Sequence, residues 1–292
     1  TAHRVASFAR MWKGAYEKYF GPDADQNVIS ISESKAPYLH FKTSQGATPN
    51  VVTIDVGGGT TDVFVVEDHK DKMLMSFRFA SNAIFGDGYN SNPSQNGFVC
   101  KYINAIRKDL EKFAELKDSL RQIEAMQKSP DIIAFLFSLQ GEKVKNNREL
   151  DFLRKLIDDD KMRYVFIIFY GAIVYYIARV MKAKGLKKPT TIAFSGNGAK
   201  TLTILSCESD IQSNFFKLIF DGVYEDETGK IKVQMEKNPK IATCKGGIED
   251  PTPQSYNDIN AIKSVFPGDG FECDSNQPIT YRDITDEMKA SV

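Results

Sequence analysis

The sequence predicts an α/β fold in which a helical subdomain is inserted into a β-rich domain. Three observations carry this. Residues 28–80 and 189–248 contain short apolar or alternating runs that read as strands. Residues 98–184, between them, are periodic at helical spacing. A run of glycines, Gly57-Gly58-Gly59, separates two predicted strands rather than a strand and a helix. The expected organisation is one subdomain from 1–88 and 185–250, a helical insertion at 89–184, and an irregular tail or the start of a further segment at 251–292.

In chain order, Ala6 to Phe20 has helical spacing, and GPDAD at 21–25 stops it. NVISISES alternates and reads as a strand, running into KAPYLHF, whose pattern suits helix and strand equally. TSQGATPN (43–50) is a turn cluster. VVTIDVGGGTTDVFVVED (51–68) then gives strand, glycine turn and strand. Lys70 to Lys72 reads as a turn before a third strand, MLMSFRFAS, completing a meander. After the loop FGDGYNSNPSQNG (85–97), a helix is expected from Phe98 to Lys128, with Leu110, Phe113, Leu116, Leu120 and Ile123 on one stripe. Helices follow at 130–140, 147–158 and 161–184, then a short buried strand, TTIAFS, entering GNGAK. Helical runs at 199–206 and 210–220 precede a hairpin, VYEDETGKIKVQM, with its turn at Thr228-Gly229. NPKIATCKGGI is a strand or a helix start.

Composition excludes several classes. Of 292 residues, 38 are Lys or Arg and 38 are Asp or Glu, so no global field recruits nucleic acid or an anionic membrane. The four cysteines are scattered, without a C-x-x-C pair, and suit free thiols in a reducing compartment, the cytoplasm. The N-terminus lacks a signal-peptide pattern and an initiator Met, as expected for a piece of a longer polypeptide. Val165 to Ala178 is uncharged, but fourteen helical residues reach only about 21 Å, short of the ~30 Å hydrocarbon layer. It reads as a core helix rather than a membrane span. His3, His40 and His69 adjoin no nucleophile motif and are expected to face solvent, and DDDK at 158–161 reads as a helix end in solvent.

The glycine run holds the chemistry. A Walker loop is excluded because no Lys-Ser or Lys-Thr follows, and the dinucleotide fingerprint needs a helix where this chain has a strand. A glycine hairpin tip can instead expose successive N–H groups and let an anion approach the backbone closely. Thr60 and Thr61 add hydroxyl donors. Asp55, at the end of a strand, would repel bare phosphate but suits a Mg²⁺ ion placed between them.

DVGGGTTD (55–62) resembles the second phosphate motif of the actin-like ATPase superfamily, which includes actin, the heat-shock chaperone ATPases and sugar kinases. Three further segments resemble that family in the same order. SESKAPYL (32–39) is similar to the Glu-Pro-x-Ala-Ala-Ala segment, with Ser34 in place of proline. IFGDGYN (84–90) is similar to the Gly-Gly-Glu-Asp-Phe turn, with Asp87 in place of a glycine. TIAFSGNGAK (191–200) is similar to the adenosine motif, with Asn197 in place of its middle glycine. The likeness covers roughly residues 28 to 248.

The resemblance implies a ribonuclease-H-like lobe with an inserted helical subdomain, binding Mg-ATP. The backbone of Gly57, Gly58 and Gly59 would hold the β- and γ-phosphates, with Thr60 and Thr61 as hydroxyl donors. Asp55 would bind Mg²⁺ through water, and Glu33 would orient the attacking water. Gly86 belongs to the turn leading into the helices, while Gly196, Asn197 and Gly198 would carry the adenosine. Glu124 and Lys128 resemble the pair that clasps ribose and adenine, and equally read as a surface ion pair four residues apart. Asp62 is compatible with a place behind the ligand sphere and with solvent.

The family's first phosphate hairpin, an Asp-Gly pair, is absent before residue 50. The expected partner is therefore an N-terminal lobe of the same polypeptide, with homo-oligomer or filament formation open. ATP hydrolysis is expected only of the full-length protein. Three readings stay open: an ATPase lobe of chaperone or filament type, a small-molecule kinase, and a non-catalytic scaffold.

Overall fold

The computed structural model describes residues 2–28, 31, 33–46, 48–86, 92–139, 150–235 and 239–249. These fall within one compact unit, Thr1–Ile262. The tail beyond Asp250 and Asp87 of the 84–90 turn lie outside the described residues.

The meander forms as expected from β1 (Val51–Val56), β2 (Thr61–Glu67) and β3 (Lys70–Phe77), all antiparallel. β4 (Thr191–Ser195) then pairs in parallel with β1, and β5 (Lys232–Met235) in parallel with β4. The sheet order is β3-β2-β1-β4-β5. Parallel neighbours need long crossovers. The connection from β3 to β4 carries the helical insertion: α4 (Asn82–Phe85), a 3-10 turn (Pro93–Gln95), α5 (Gly97–Leu110), α6 (Ala114–Ala125), α7 (Ser129–Ser138), α8 (Phe152–Ile157) and α9 (Asp160–Ala183). The connection from β4 to β5 carries α10 (Gly196–Ala199), α11 (Leu202–Leu205) and α12 (Ser209–Tyr224). Among the described residues three helices precede the sheet, α1 (Ala2–Phe20), α2 (Ala24–Asn27) and α3 (Ala36–Gln45), and α13 (Pro239–Glu249) follows it.

Both faces of the sheet are covered. The period-two alternation of β1 sends Val52, Ile54 and Val56 to one face and Val51, Thr53 and Asp55 to the other. On the first, Phe194 of β4 sits between Tyr170 of α9 and Phe216 of α12, and all three rings are fully buried. On the second, Tyr38 and Leu39 of α3 pack with Val51, Phe64 and Val66. α13 lies beside α3 so closely that a Cβ on Gly246 would come within 1.7 Å of the Ala36 carbonyl oxygen.

Several local expectations are corrected. Residues 27–34 supply no strand among the described residues: Ala24–Asn27 is a helical turn and 33–35 a second turn. KAPYLHF resolves as helix because Pro37 suits a first helical turn, where its missing N–H costs nothing. The expected hairpin at 223–235 is half helix, since α12 runs to Tyr224 and ends on Glu225 in the left-handed conformation, leaving β5 to pair with β4. NPKIATCKGGI is the helix α13. The helix expected from Phe98 to Lys128 breaks at 111–113, so Leu110 and Leu120 are buried from different helices. The turn before β3 is Asp68-His69, both at positive φ, and Lys70 already belongs to the strand. His40 is not in solvent: it is 3% exposed and hydrogen-bonds Glu249 of α13. Asp159 caps α9 by accepting from the Met162 N–H and also accepts from Tyr102 and Lys101, which ties it to α5.

α9 is 24 residues long and apolar enough to cross a membrane by length and composition, with half of its most apolar window buried inside the fold. Its buried side, including Phe166, Tyr170, Ile173, Val174 and Ile177, faces protein. Among the described cysteines, Cys100, Cys207 and Cys244 are free and exposed.

Candidate functional site

The β1–β2 hairpin places its tip at the C-terminal end of β1, beside the C-terminal end of parallel β4. Crevices at such strand ends, where connections leave in opposite directions, are the usual ligand positions of α/β sheets. At the tip the Gly57 N–H donates to the Thr60 carbonyl at 2.9 Å. The Gly57 and Gly58 carbonyls accept from the N–H groups of Ser81 and Asn82, at 3.1 and 2.8 Å. The tip is therefore braced from behind. Among the described residues, no acceptor meets the N–H groups of Gly58, Gly59 and Thr60.

That result divides the expected phosphate ligands. Gly58, Gly59 and Thr60 are exposed and keep their donors for an outside group, whereas the Gly57 N–H is used to close the turn. The Thr60 hydroxyl reaches Asp62 at 3.3 Å and remains at the surface. Thr61, expected as a second hydroxyl donor, is turned inward. It is fully buried, and its hydroxyl donates to the Phe79 carbonyl at 2.7 Å.

Asp55 lies half-buried behind the tip, opposite Asp62 on β2 and Ser195 on β4. The Ser195 hydroxyl donates to its Oδ2 at 2.9 Å. Burial pushes the Asp55 carboxyl above its ordinary pKa; Ser195 opposes this, Asp62 and Glu33 add to it, and Thr243 of α13 opposes it weakly. Glu33, exposed in the turn before α3, is thus electrostatically near Asp55. No ion pair joins Asp55 to a Lys or Arg among the described residues.

A half-buried carboxylate with two acidic neighbours and no cation fits a divalent ion. Among the described residues no three His, Cys, Asp or Glu side chains converge as a ligand set.

The turn after β4 is pressed onto this corner. Gly196 is at φ +80°, and a Cβ there would lie 2.4 Å from Asp55 Oδ1 and 2.5 Å from the Val56 carbonyl oxygen. A Cβ on Gly198 would lie 2.8 Å from the same Val56 carbonyl oxygen. Both glycines are therefore required for the close approach of two backbones. The buried Tyr170 hydroxyl donates to the Gly198 carbonyl at 2.6 Å and bonds the Thr201 hydroxyl at 2.8 Å, fixing the turn from below.

Between these pieces opens a cavity of about 890 Å³. Its walls are Gly57 and Gly58 of the tip; Ser81, Asn82, Phe85 and Gly86 of the turn after β3; Pro130, Ile133, Ala134 and Phe137 of α7; Leu153 of α8; and Asn197, Gly198, Lys200 and Thr201. One end is polar backbone and the other is apolar, as in pockets for small organic ligands. Gly86 is at φ +86° against Asn96, whose Nδ2 donates to the Phe85 carbonyl at 2.7 Å. Asn197 is exposed on the cavity wall.

Glu124 and Lys128 do not line this cavity. Glu124 pairs with Arg107 of α5 rather than with Lys128, which precedes the first turn of α7. Sequence reasoning missed Ser81, Asn82, Ser195, Thr243 and the α7 wall. Ser195 directly precedes the glycine turn, and that adjacency was its available signal. The others depend on contacts between distant segments.

No protein-family model matches the chain, and no curated protein matches it. Among solved structures, it is similar to the ethanolamine utilization protein EutJ from Carboxydothermus hydrogenoformans, at 12% identity and TM-score 0.31, covering 72% of this chain and 52% of that one. It is also similar to the activator of the 2-hydroxyisocaproyl-CoA dehydratase from Clostridium difficile, solved with bound ADPNP. That match has 10% identity and TM-score 0.32, covering 79% of this chain and 67% of the other. The chain thus spans about half the length of the first and two thirds of the second.

Proposed function

We propose that this chain is the second nucleotide-binding lobe of an actin-like ATPase. In this reading it has a ribonuclease-H-like fold and binds Mg-ATP in a cleft shared with an N-terminal lobe of the same polypeptide. The observation that carries the reading is the hairpin tip: among the described residues the successive N–H groups of Gly58, Gly59 and Thr60 meet no acceptor, beside a cavity that Gly57 and Gly58 line together with the glycine turn after β4. The sheet, with its meander on one side of β1 and parallel strands on the other, supports the same lobe.

The residues fit the proposed ligands. Gly58, Gly59 and Thr60 donate to phosphate oxygens, and the bracing by Ser81 and Asn82 means that little ordering remains to be done on binding. Asp55 holds Mg²⁺ through water, which relieves the repulsion from Asp62 and Glu33. Bound Mg²⁺ supplies charge neutralisation at the phosphates. Glu33 orients a water. Gly196 and Gly198 keep the backbone low enough for adenosine, with Phe85, Ile133 and Phe137 forming the apolar wall. Positioning and charge stabilisation are the main demands of phosphoryl transfer.

Calorimetric titration of the chain with Mg-ATP tests this. Gly58→Val should weaken affinity about tenfold or more, because its side chain fills the cradle and a Cβ alone would lie 3.3 Å from Asn82 Oδ1. In the full-length protein, Asp55→Ala should abolish Mg-dependent turnover. Wild-type behaviour from both variants would remove the site. A nucleotide-binding scaffold without turnover is the second reading, favoured by Asn197 in place of a glycine. It predicts binding by the full-length protein with no phosphate release.

A further inference from the structure

Two neighbouring helices leave one apolar face open, apart from the cavity. On α9 the exposed positions Lys161, Val165, Ile168, Ala172, Tyr175 and Arg179 recur at alternating spacings of four and three. Ile168 is 70% exposed and Tyr175 50%. On α12, Ile211, Phe215, Leu218 and Gly222 repeat that spacing, with Leu218 70% exposed. This is the pattern of a helix seam meeting another helix. The two helices run side by side in the same direction: the Phe215 ring lies over Gly171, and Lys182 bonds the Val223 carbonyl and Glu225 at the C-terminal ends. The stripes therefore form one continuous patch, ending in a hollow of about 360 Å³ between Tyr175, Arg179, Gly222 and Glu225. Patches of this kind mark contact surfaces.

The charges identify the occupant. The α9 stripe is basic at both ends, Lys161 at its start and Arg179 at its finish, Lys182 being already paired with Glu225 of its own chain. α12 is acidic at its start, where Glu208 and Asp210 are exposed. We propose that a second copy of this chain covers the face. Its twofold axis runs parallel to the two helices and between them, so that each α9 lies on the other copy's α12. That operation preserves helix direction, sets Lys161 of each copy beside Glu208 and Asp210 of the other, and buries Ile168 and Leu218 in the middle. A twofold axis across the helices would instead set α9 on α9 and bring Lys161 against Arg179. An anionic membrane would meet the acidic start of α12. The face covers on the order of 500 Å² per copy in projection, at the small end of specific interfaces, so the dimer belongs at micromolar concentrations.

Sedimentation equilibrium of the 292-residue chain at tens of micromolar tests the proposal. The chain should be a dimer, and Ile168→Asp should weaken dimerisation about tenfold or more. Lys161→Glu and Glu208→Lys should each weaken it, and the two together should restore it. These positions are exposed, so thermal melts should stay near wild type. A monomeric wild type, a dimer indifferent to Ile168→Asp and Leu218→Asp, or single charge reversals without mutual rescue would overturn it. So would a monomer that binds anionic vesicles through Ile168.

Discussion

Asp55 is where the fold tolerates a local cost. Its carboxyl is half-buried between Ser195, Asp62 and Glu33, and burial holds its pKa above the ordinary carboxylate value. The folded chain therefore takes up a proton between the unfolded and folded values. The penalty for the charged form is absent below the first and complete above the second. Asp55→Asn removes the charge while leaving Ser195 an acceptor, so the variant should melt higher than wild type at neutral pH. The difference should shrink as pH falls through the acid range. Mg-ATP should raise the wild-type melting temperature and leave the variant unmoved. A variant that melts lower at pH 7 would mean that Asp55 stabilises the fold and is not strained for a ligand. At this scale the hairpin residues were legible because three glycines next to Asp55 have no explanation in turn geometry alone. The separation of Thr60 from Thr61 was not legible. Strand parity sends one to the surface and the other to the Phe79 carbonyl, and that depends on where β2 begins.

At the scale of elements, the glycine turn after β4 is held by α9 beneath it. Tyr170→Phe deletes the bond to the Gly198 carbonyl, but the Thr201 hydroxyl, 2.8 Å from that carbonyl, is then free to turn its own proton onto it. The loss should be about 1 kcal/mol by chemical denaturation, with a modest fall in nucleotide affinity. A larger consequence is expected where α13 crosses α3. Gly246→Ala drives a methyl into the Ala36 carbonyl oxygen and should cost about 3 kcal/mol, or prevent folding. Neutral behaviour there would contradict the placement of α13 against the Asp55 side of the sheet. Elements with strong periodicity were readable: the meander, α9, and β4 entering its turn. The misread segments were ones whose partners decide their state. VYEDETG has strand-like residues, yet Phe216, Phe220 and Val223 bury one face of a helix that continues through Tyr224. Lys188 then gathers the following loop by bonding Asp221 and the carbonyls of Asp226 and Thr228.

For the whole molecule, the proposed function depends on the parallel pairing of β1 with β4 across the helical insertion. That pairing sets Asp55 opposite Ser195, and with it the glycine hairpin beside the glycine turn. Sequence order suggested both motifs, but nothing in their spacing gave the register or the α7 wall that closes the cavity. At the hairpin tip the N–H groups of Gly58, Gly59 and Thr60 meet no acceptor among the described residues. The most direct measurement is therefore the backbone amide NMR spectrum of the chain during titration with Mg-bound, non-hydrolysable ATP analogue. The N–H signals of Gly58, Gly59 and Thr60 should move together and saturably, as new hydrogen bonds form, while Gly57, already bonded within the turn, moves less. Saturable binding with these three signals unmoved and the response elsewhere would contradict the assignment of the tip as the phosphate site.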